Sequence, residues 1–365
     1  MAKKKLLVLT GGGDCPGLNA VIRGIVKAAN KTGEWKCVGS IEAFNGIYSD
    51  PPELIKLTKK RVGGIHVKGG TILKTTNRGN PFDFPIQDEE GNWTTIDRSE
   101  ELVERIQEMG FEAVISIGGD GSQAIAQTLY EKGLNIIGVP KTIDNDLYGT
   151  DMTFGFTTAV QIATESLDRL VTTAESHHRV MIMEVMGRDA GWIALHTAIA
   201  GGAEICLIPE IPFDIDIIHQ FIKKRYSKGK GFVNIVIAEG AKTLEGGVVG
   251  KESIDGDAHI KLGGIGSYLR TQLEARGCKQ QIRTTTLGHT QRGGTPIAWD
   301  RILATAMGVK AFELAEEGKY GQMVALKGRA LVSIPIKKAV SKYNYIKPDD
   351  QLVKIAKKIG ISFGD

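Results

Sequence analysis

Short runs of valine, isoleucine and leucine in this chain repeatedly end at glycine. KLLVLT is followed by Gly11, AVISI by Gly118, VMIMEVM by Gly187 and VNIVIAE by Gly240. Apolar runs of this length, alternating with helical stretches, are typical of βαβ units and of a parallel sheet buried on both faces. Glycine makes up 46 of the 365 residues, well above the roughly 7% that is usual. We therefore expect an α/β fold whose ligands bind beyond the carboxyl ends of the strands, where these glycines lie.

The segments between these runs carry a helical pattern. Apolar residues at helical spacing over 18–29 predict a first helix, opened by Pro16 and closed near Gly33. A similar helix is expected after Ser122, with its end at Gly133. This alternation of strand and helix favours a doubly covered sheet over an all-β or all-α fold.

Two stretches rich in glycine and polar residues interrupt the alternation, at 77–93 and 245–257. Both are predicted to be surface loops, because connecting segments normally run over the surface. Residues 66–78, just before the first of them, mix glycine with lysine and arginine and could instead cover a phosphate.

Composition excludes several classes of protein. The 46 Lys and Arg nearly balance the 42 Asp and Glu, for a net charge of +4, so no nucleic-acid-binding face is expected. No apolar run is long enough to span a membrane, and the apolar segment after the basic start is too short for a secretory signal. A cytoplasmic location is expected, because the cysteines show neither a disulfide framework nor a zinc-site spacing. They are Cys15, Cys37, Cys206 and Cys278.

The first motif that can carry chemistry is TGGGDCPG, residues 10–17. It follows a predicted strand and opens a helix, so backbone N–H groups can converge on an anion at the helix N-terminus. It is not a Walker A loop, because Leu18 and Asn19 follow Gly17 in place of Lys and Ser or Thr. It is not the dinucleotide fingerprint either, because Pro16 stands at the third glycine position. A tight turn without a ligand remains the alternative.

The second motif is GGDGS, residues 118–122. Its glycines allow a phosphate to approach the backbone, and Asp120 could hold Mg²⁺ against phosphate oxygens. The alternative is that Asp120 only caps a helix N-terminus.

The third motif is PKTIDND, residues 140–146. Asp144 and Asp146, two residues apart at the end of a strand, suit a general base and a metal-organising acid. Lys141 would keep such a base ionised and could contact a phosphoryl group. A plain turn of Pro, Asn and Asp is the alternative.

A fourth group is cationic. Arginine binds phosphate through two parallel hydrogen bonds and does not lose its charge. The candidates are Arg179, Arg188, Arg283 and the segment His289, Thr290, Gln291 and Arg292. Each of them, taken singly, could equally be a solvated surface group. Glu239, at the end of the VNIVIAE run, could accept hydrogen bonds from hydroxyl groups.

These segments together resemble the 6-phosphofructokinase family from Leu6 to about Lys310, in a branch near its mixed-substrate and pyrophosphate-using members. The matching segments are TGGGDCPGLNAVIRG, GGDGS, PKTIDND, EVMGR, GGAE and LGHTQRGG followed by Asp300 and Arg301. The resemblance implies two Rossmann-like three-layer α/β domains with mostly parallel sheets and an active site in the cleft between them. Residues 1–155 with about 290–340 would form a larger domain for ATP and magnesium. Residues from about 156 to 289 with the C-terminal segment would form a smaller domain for fructose 6-phosphate.

The resemblance also implies roles for single residues. Asp144 resembles the base that takes the proton of the sugar 1-hydroxyl, flanked by Thr142 and Asp146, and Arg188 the group that stabilises the transferring phosphoryl. The expected ATP-binding residues, with Asp120 as the Mg²⁺ ligand, are Gly12, Gly13, Arg78, Gly79, Gly119, Asp120, Gly121, Ser122 and Lys141. The expected sugar-phosphate-binding residues are Thr142, Ile143, Asp144, Arg179, Met186, Gly187, Arg188, Glu239, Arg283, His289, Thr290, Gln291 and Arg292. Shared sites imply a homotetramer or homodimer.

Two positions of the sequence, 121 and 141, bear on whether ATP or pyrophosphate is the phosphoryl donor. Pyrophosphate-using members of the family resemble GGDD at the second motif, whereas this chain has Gly121, which leaves room for a nucleotide. Lys141, by contrast, is typical of the pyrophosphate-using branch. ATP is the expected donor, because an aspartate at 121 would exclude it directly and Lys141 does not. Pyrophosphate-dependent transfer and a catalytically silent sensor of phosphate ligands are the alternatives.

Regulation is expected to differ from that of the allosteric bacterial members. Arg23, Lys27, Lys228 and Lys230 match cationic positions of their effector site. Val171 replaces another arginine of that site, however, and the loop at 50–52 lacks its basic residue. The usual control by ADP and phosphoenolpyruvate is therefore not expected, and a different effector or none remains open.

Overall fold

The strands expected from the apolar runs are all present in the computed structural model. It describes residues 3–88, 90–229, 231–246, 250–251 and 261–365. The strands of this part of the chain are β1 (Lys4–Thr10), β2 (Trp35–Ser40), β3 (Leu54–Leu57), β4 (Phe84–Gln87), β5 (Trp93–Ile96), β6 (Ala113–Gly118), β7 (Ile136–Thr142), β8 (Phe154–Gly155), β9 (Val180–Val185), β10 (Ile205–Leu207), β11 (Val233–Ala238), β12 (Gly250–Lys251), β13 (Lys261–Leu262), β14 (Ile282–Thr286), β15 (Gln322–Lys327) and β16 (Ala330–Pro335).

The helices follow the strands in alternation, as the sequence predicts. They are α1 (Leu18–Thr32), α2 (Asn45–Tyr48), α3 (Ser99–Glu108), α4 (Asp120–Glu131), α5 (Phe156–His177), α6 (Trp192–Gly201), α7 (Ile215–Ser227), α8 (Ile265–Ala275), α9 (Ala298–Glu316), α10 (Ile336–Ala339) and α11 (Gln351–Lys358). Short 3₁₀ helices cover Ile65–Val67 and Gly288–Arg292. Among the described residues, no helix is both long enough and apolar enough to cross a membrane.

The chain divides into two units, each with its own sheet. Unit 1 comprises Met1–Ile143, Leu147–Thr157 and Arg292–Tyr343. Unit 2 comprises Asp144–Asp146, Thr158–Gln291 and Asn344–Asp365. Three residues of the PKTIDND motif, Asp144–Asp146, are thus counted with the second unit although the chain on either side belongs to the first.

Unit 1 contains, among its described residues, an eight-stranded sheet in the order β16-β15-β7-β6-β1-β2-β3, with β8 paired to β7. The central pairs, β7 with β6, β6 with β1 and β1 with β2, are parallel, while β3 and β16 at the two edges are antiparallel. β6 and β7 are buried at every position, as strands covered on both faces are. The predicted α/β class with a mostly parallel sheet is confirmed.

The first helix forms close to where its pattern predicts. α1 buries Leu18, Val21, Ile22, Ile25, Val26 and Ala29 and ends at a left-handed Gly33. A glycine there satisfies the helix end without the strain that a β-carbon would meet. The second predicted helix, α4, begins two residues earlier than Ser122, at Asp120, and is capped by Gly119. Asp120 is therefore the first helical residue and not the N-cap.

Unit 2 holds a four-stranded sheet within its described part, in the order β10-β11-β9-β14, with every pair parallel. Its core is formed by the apolar residues of these strands together with α7 and α8, among them Ile182, Ile235 and Leu269. The side chains of β9 and β11 are buried throughout. A continuous apolar run was therefore a valid signal for a parallel strand in both units.

The described part of the stretch 77–93 lies at the surface, as predicted, but it is not a loop throughout. β4 and β5 form an antiparallel hairpin there, with Phe84 opposite Ile96 and Gln87 opposite Trp93. All four residues of β5 are exposed, so the strand lacks the apolar alternation that would have revealed it. In the second expected loop, at 245–257, the residues 247–249 and 252–257 lie outside the described part of the chain.

Candidate active site

The glycine loop after β1 is fixed by backbone hydrogen bonds in unit 1. The Gly11 N–H donates to the Ile117 carbonyl and the Gly12 N–H donates to the Thr76 carbonyl, each at 3.0 Å. The Thr75 hydroxyl donates to the Gly12 carbonyl at 2.5 Å. These hydrogen bonds fix the loop between β6 and the segment that contains Thr75 and Thr76. Gly12 adopts a left-handed conformation there, with a φ of 76°.

Lys141 extends its ammonium group into this glycine loop. Its side chain is buried at the end of β7, and Nζ donates to the Gly13 carbonyl at 2.5 Å. A β-carbon at Gly12 would lie 3.3 Å from the same nitrogen. The positive charge of Lys141 therefore lies beside the backbone of the glycine loop, where the sequence predicts that phosphates bind.

Arg292 reaches the same loop from the start of the last segment of unit 1. Its Nη1 donates to the Asp14 carbonyl at 3.3 Å, and a β-carbon at Gly13 would lie 2.9 Å from that nitrogen. The resemblance implies that Arg292 binds the sugar phosphate, and the structure places it against the glycine loop together with Lys141. The structure thus brings Gly12, Gly13, Lys141 and Arg292 together.

The turn from β6 into α4 depends on a close contact made by Ser122. A β-carbon at Gly118 would lie 2.2 Å from the Ser122 β-carbon, so any larger residue would push the helix away from the strand. Gly121, one position earlier on the helix, has nothing within 4 Å of where its β-carbon would be. The space beside Gly121 is open, whereas the space beside Gly118 is filled.

Asp120, at the first position of α4, is exposed to solvent. It accepts a hydrogen bond from the hydroxyl of Tyr343 at 2.7 Å. No group of three or more His, Cys, Asp or Glu side chains suited to a metal occurs in the described part of the chain. A single exposed carboxylate fits Mg²⁺ when phosphates and water supply its other ligands, as Mg²⁺ prefers.

The remaining residues predicted for the nucleotide lie in the loop before β4. Arg78 is exposed, and its backbone N–H donates to the Thr76 hydroxyl at 2.9 Å. Gly79 has a φ of 97°, and a β-carbon there would lie 2.4 Å from Oδ1 of Asn45. Both residues belong to the segment that follows Thr76, whose carbonyl accepts the Gly12 hydrogen bond.

Cys15 lies inside the first motif but is not a nucleophile. It is fully buried, and burial raises the pKa of its thiol to about 12, a shift only partly offset by the charge of Lys141. The thiol contacts the Phe154 carbonyl at 3.7 Å. A neutral, buried thiol packs as a small apolar group.

The last residues of the third motif form a strained loop. Thr142 and Ile143 are buried in unit 1, where the Thr142 carbonyl accepts a hydrogen bond from the Thr153 hydroxyl at 2.7 Å. Asp144, Asn145 and Asp146 follow in unit 2, and Asn145 has a φ of 54°. A residue other than glycine in this left-handed region needs support from its surroundings.

That support comes from Asn344, near the C-terminus. Its backbone N–H donates to the Asp146 carbonyl at 2.7 Å, and its Nδ2 donates to the Asn145 carbonyl at 3.0 Å. Sequence reasoning missed this residue, because side-chain contacts to backbone leave no periodic pattern.

The second cationic candidate, Arg188, lies on the loop between β9 and α6 in unit 2. Its side chain is 42% exposed and Nε is 3.8 Å from the Asp189 carboxylate, which is a weak interaction. The backbone beneath it is tightly packed, since a β-carbon at Gly240 would lie 1.8 Å from the Arg188 carbonyl. Gly240 is therefore required for the loop to lie against the end of β11.

Two carboxylates, the partly buried Glu210 and the buried Glu184, hold the loops of unit 2. Glu210 accepts hydrogen bonds from the Gly191 N–H at 3.1 Å and from the Ile346 N–H at 3.0 Å, and burial raises the pKa of its carboxyl. Glu184 accepts from the N–H groups of Gly264 and Gly266 at the start of α8. Both act on helix N-termini, where a carboxylate is favoured. The sequence showed Glu184 within EVMGR but gave it no role.

The other sugar-phosphate candidates lie at both ends of the parallel sheet of unit 2. Arg179 and Arg283 are at the amino ends of β9 and β14, whereas the rest follow the carboxyl ends of the strands. The Met186 N–H donates to Oε1 of the buried Gln291 at 2.8 Å, which ties two of the predicted residues together. Arg179 donates from Nε to Gln281 at 2.5 Å. Arg283, His289 and Thr290 are exposed. Gly187, at the end of β9, has a φ of 136° and Glu239 follows β11.

A separate cationic cavity lies in unit 1. It has a volume of about 360 Å³ and is lined by Arg23, Lys27, Lys59, Gly63 and Gly64. The loop at 50–52 has no basic residue, as the sequence shows, but Lys59, seven residues after that loop, brings a third cationic side chain to this cavity. Burial, with the nearby charges of Arg23, Arg301 and Lys27, lowers the pKa of His66. Lys228 belongs to unit 2, and Lys230 lies outside the described residues.

Known proteins are similar in sequence to this chain over nearly all of its length. The sequence profile of the family described as Phosphofructokinase matches residues 5–315. The chain is 48% identical over 363 residues to an ATP-dependent 6-phosphofructokinase 2 of Clostridium perfringens, and the match covers 99% of each chain. It is 44% identical over 344 residues to a pyrophosphate–fructose 6-phosphate 1-phosphotransferase of Amycolatopsis methanolica, covering 94% of this chain and 96% of the relative.

The fold has relatives among solved structures as well. The structure of Pichia pastoris phosphofructokinase in the T-state matches with a TM-score of 0.79 and 28% identity, over 98% of this chain and 36% of that chain. The family profile and the full-length relatives agree with the motifs that resembled this family. The chain belongs to the phosphofructokinase family.

Proposed function

We propose that this chain transfers the γ-phosphoryl group of ATP to the 1-hydroxyl of fructose 6-phosphate, giving fructose 1,6-bisphosphate and ADP. The observation that carries the choice of donor is the open space beside Gly121. A nucleotide phosphate can occupy that space, whereas an aspartate would fill it with volume and negative charge. The full-length relative named as ATP-dependent supports the same donor.

Unit 1 supplies the groups for the donor phosphates. Gly12, Gly13 and the turn at Gly119–Ser122 offer backbone at the N-termini of α1 and α4, where anions are favoured. The Lys141 ammonium and the Arg292 guanidinium lie against the same glycine loop. Mg²⁺, held by Asp120 together with the donor phosphates, would neutralise part of the charge on the transferring group. Unit 1, the larger of the two, is accordingly proposed as the domain that binds ATP and magnesium.

Unit 2 supplies the groups for the acceptor. Asp144 takes the proton of the sugar 1-hydroxyl. The hydroxyl oxygen then bonds to the γ-phosphorus of ATP, and the bond from that phosphorus to the oxygen that bridges it to the β-phosphorus breaks, so that ADP leaves. Arg188 stabilises the charge of the transferring group. The sugar phosphate is bound by the partly buried Arg179 and by the exposed Arg283 and His289.

Sharing of these cations between copies is part of the proposal. Near the start of α9, Trp299 and Ile302 are exposed by 47% and 66%. Exposed apolar side chains next to each other on a helix favour contact with another protein surface. We expect a homotetramer or homodimer in the cytoplasm, and light scattering coupled to size exclusion gives the mass that decides it.

Pyrophosphate-dependent transfer is the second candidate, favoured by two observations. Lys141 lies in the glycine loop, and one full-length relative is named as a pyrophosphate enzyme. A catalytically silent sensor of phosphate ligands is disfavoured, because it would not need a metal ligand, a base and a phosphoryl-stabilising arginine together, the roles proposed for Asp120, Asp144 and Arg188.

A donor assay separates these candidates. Purified protein is given fructose 6-phosphate and Mg²⁺ with either ATP or pyrophosphate, and fructose 1,6-bisphosphate is measured. We expect turnover with ATP and at most slow turnover with pyrophosphate. Turnover with pyrophosphate alone would overturn the proposed donor, and binding of both substrates without product would support the sensor.

A further inference from the structure

The loop that carries the proposed base is anchored by a segment outside the part of the chain that the family profile matches. The profile ends at residue 315, whereas Asn344 and Ile346 lie near the C-terminus. Both belong to unit 2, as do Asp144, Asn145 and Asp146.

Asn344 holds the loop by two donors on one residue. Its backbone N–H bonds the Asp146 carbonyl at 2.7 Å and its side-chain amide bonds the Asn145 carbonyl at 3.0 Å. Only the NH₂ end of the amide can donate to a carbonyl, so the orientation of the side chain is determined by chemistry. Both carbonyls lie in the two peptide bonds that directly follow the left-handed Asn145, and fixing them restrains the chain on which its unfavourable conformation depends.

Asn344 is itself held from the Arg188 side of unit 2. The indole N–H of Trp192 donates to the Asn344 carbonyl at 2.7 Å. Trp192 is the first residue of α6, four positions after Arg188. Two residues beyond Asn344, the Ile346 N–H donates to Glu210, whose carboxylate also accepts the Gly191 N–H. One short segment of the tail therefore fastens both the loop of Asp144 and the end of the loop of Arg188.

We propose that Asn344 is a positioning residue for phosphoryl transfer: it sets the backbone from which Asp144 reaches the acceptor hydroxyl, in register with the Arg188 loop. The inference rests on the proposed function for the identity of the reaction. Phosphoryl transfer depends mainly on placement of its groups, and a displacement of about 1 Å can cost about a hundredfold in rate. Asn344 acts through Asp144 and touches neither substrate.

Two substitutions test this role. Asn344→Ala removes the side chain, and Asn344→Asp keeps its size but replaces the donor with an acceptor that repels the Asn145 carbonyl. We expect kcat to fall by about 10–100-fold in both, with KM for each substrate within about twofold of the wild type, because placement and not binding is lost. Lys347→Ala, an exposed side chain on the same segment, is the matched control and should behave as the wild type.

A double-mutant cycle with Asp144→Ser separates positioning from general damage. If Asn344 acts through Asp144, then Asn344→Ala should lower the residual kcat of Asp144→Ser by less than about threefold, since residues acting as one unit are not additive. The same fold-loss in both backgrounds would overturn the proposal. So would an unchanged kcat in Asn344→Asp.

Hydrogen–deuterium exchange gives a readout that needs no activity. Peptides covering residues 143–147 should exchange faster in Asn344→Ala than in the wild type and in Lys347→Ala, while peptides of β9 and β11 stay unchanged. Unchanged exchange at 143–147 would overturn the anchoring. If the wild type makes no fructose 1,6-bisphosphate, the proposed function fails, and this exchange comparison alone still decides whether Asn344 holds the loop.

Discussion

The hydroxyl of Tyr343 donates a 2.7 Å hydrogen bond to Oδ2 of Asp120, across 223 positions of sequence. Tyr343 also pairs with Leu147 through an isolated bridge within unit 1. Its ring is 39% exposed, so it can hold the carboxylate without burying it. The expected magnesium ligand is therefore oriented by a residue from the far end of unit 1.

Tyr343→Phe removes this hydroxyl and leaves the ring. Loss of a hydrogen bond to a metal-binding carboxylate typically costs about 10–100-fold in metal affinity or activity. We expect the Mg²⁺ concentration for half-maximal rate to rise about tenfold, while KM for fructose 6-phosphate stays unchanged. Initial rates across a magnesium titration at saturating substrates measure it. Tyr130→Phe, on the last turn of α4, is the matched control, and an equal shift in that variant would rule out a specific role for Tyr343.

The strands and the first two site loops could be predicted from the sequence because their signals are local. A run of Val, Ile and Leu predicts a strand buried on both faces. The glycines after it indicate where the backbone lies close to neighbouring side chains or to a ligand. Gly118 fits this reasoning, since Ser122 fills the space beside it. The helix over Leu18–Thr32 follows from spacing alone.

The residues that sequence reasoning missed act on backbone groups far away in the chain. Glu184 bonds N–H groups at the start of α8, 80 positions later, and Asn344 bonds carbonyls 199 positions earlier. A carboxylate or amide that serves a distant peptide group needs no particular neighbour in sequence. The exposed strand β5 was missed for a related reason, because hydrogen bonds with β4 and not burial define it.

Gly121→Asp tests the choice of donor. The backbone at Gly121 does not have a positive φ and the space is open, so the variant should fold. Two like charges about 4 Å apart near a protein surface repel by about 4 kcal/mol, and we expect kcat/KM for ATP to fall by about a hundredfold or more. Steady-state rates with each donor measure it.

Gly121→Asn serves as the control of equal size without the charge. A fall that is much smaller than in Gly121→Asp would assign the effect to charge, and an equal fall would assign it to volume. Unchanged ATP activity in Gly121→Asp would contradict the proposed path of the nucleotide.

Asp144→Ser tests the general base. Loss of a base typically lowers the rate by about 10²–10⁴-fold, and we expect that fall in kcat with fructose 6-phosphate affinity, measured by calorimetry, within about threefold of the wild type. Asp168→Ser removes an exposed carboxylate of α5 and should leave kcat unchanged. A near-normal kcat in Asp144→Ser would remove this residue from the role.

The cysteine in the glycine loop should resist alkylation. Because burial raises the pKa of Cys15 to about 12, its thiol stays protonated at pH 8, and the thiolate is the reactive form. Cys37, with its pKa raised to about 12, and the fully buried Cys206 should behave alike. We expect N-ethylmaleimide to label only Cys278 in the native protein and all four thiols in guanidinium, as read by mass spectrometry. Labelling of native Cys15 at the denatured rate would show that the loop opens.

The cationic cavity of unit 1 should bind a phosphorylated anion. Arg23, Lys27 and Lys59 line one space of about 360 Å³, and their mutual repulsion is relieved when an anion enters. A ligand that binds the folded state raises its melting temperature in proportion to the logarithm of its concentration. We expect millimolar inorganic phosphate to raise the melting temperature of the wild type by a few degrees and that of Lys59→Ala by less than half as much. Lys60→Ala, which changes the neighbouring exposed lysine, should respond as the wild type does. An equal rise in Lys59→Ala would place the anion elsewhere, and no rise in the wild type would contradict the prediction that this cavity binds an anion.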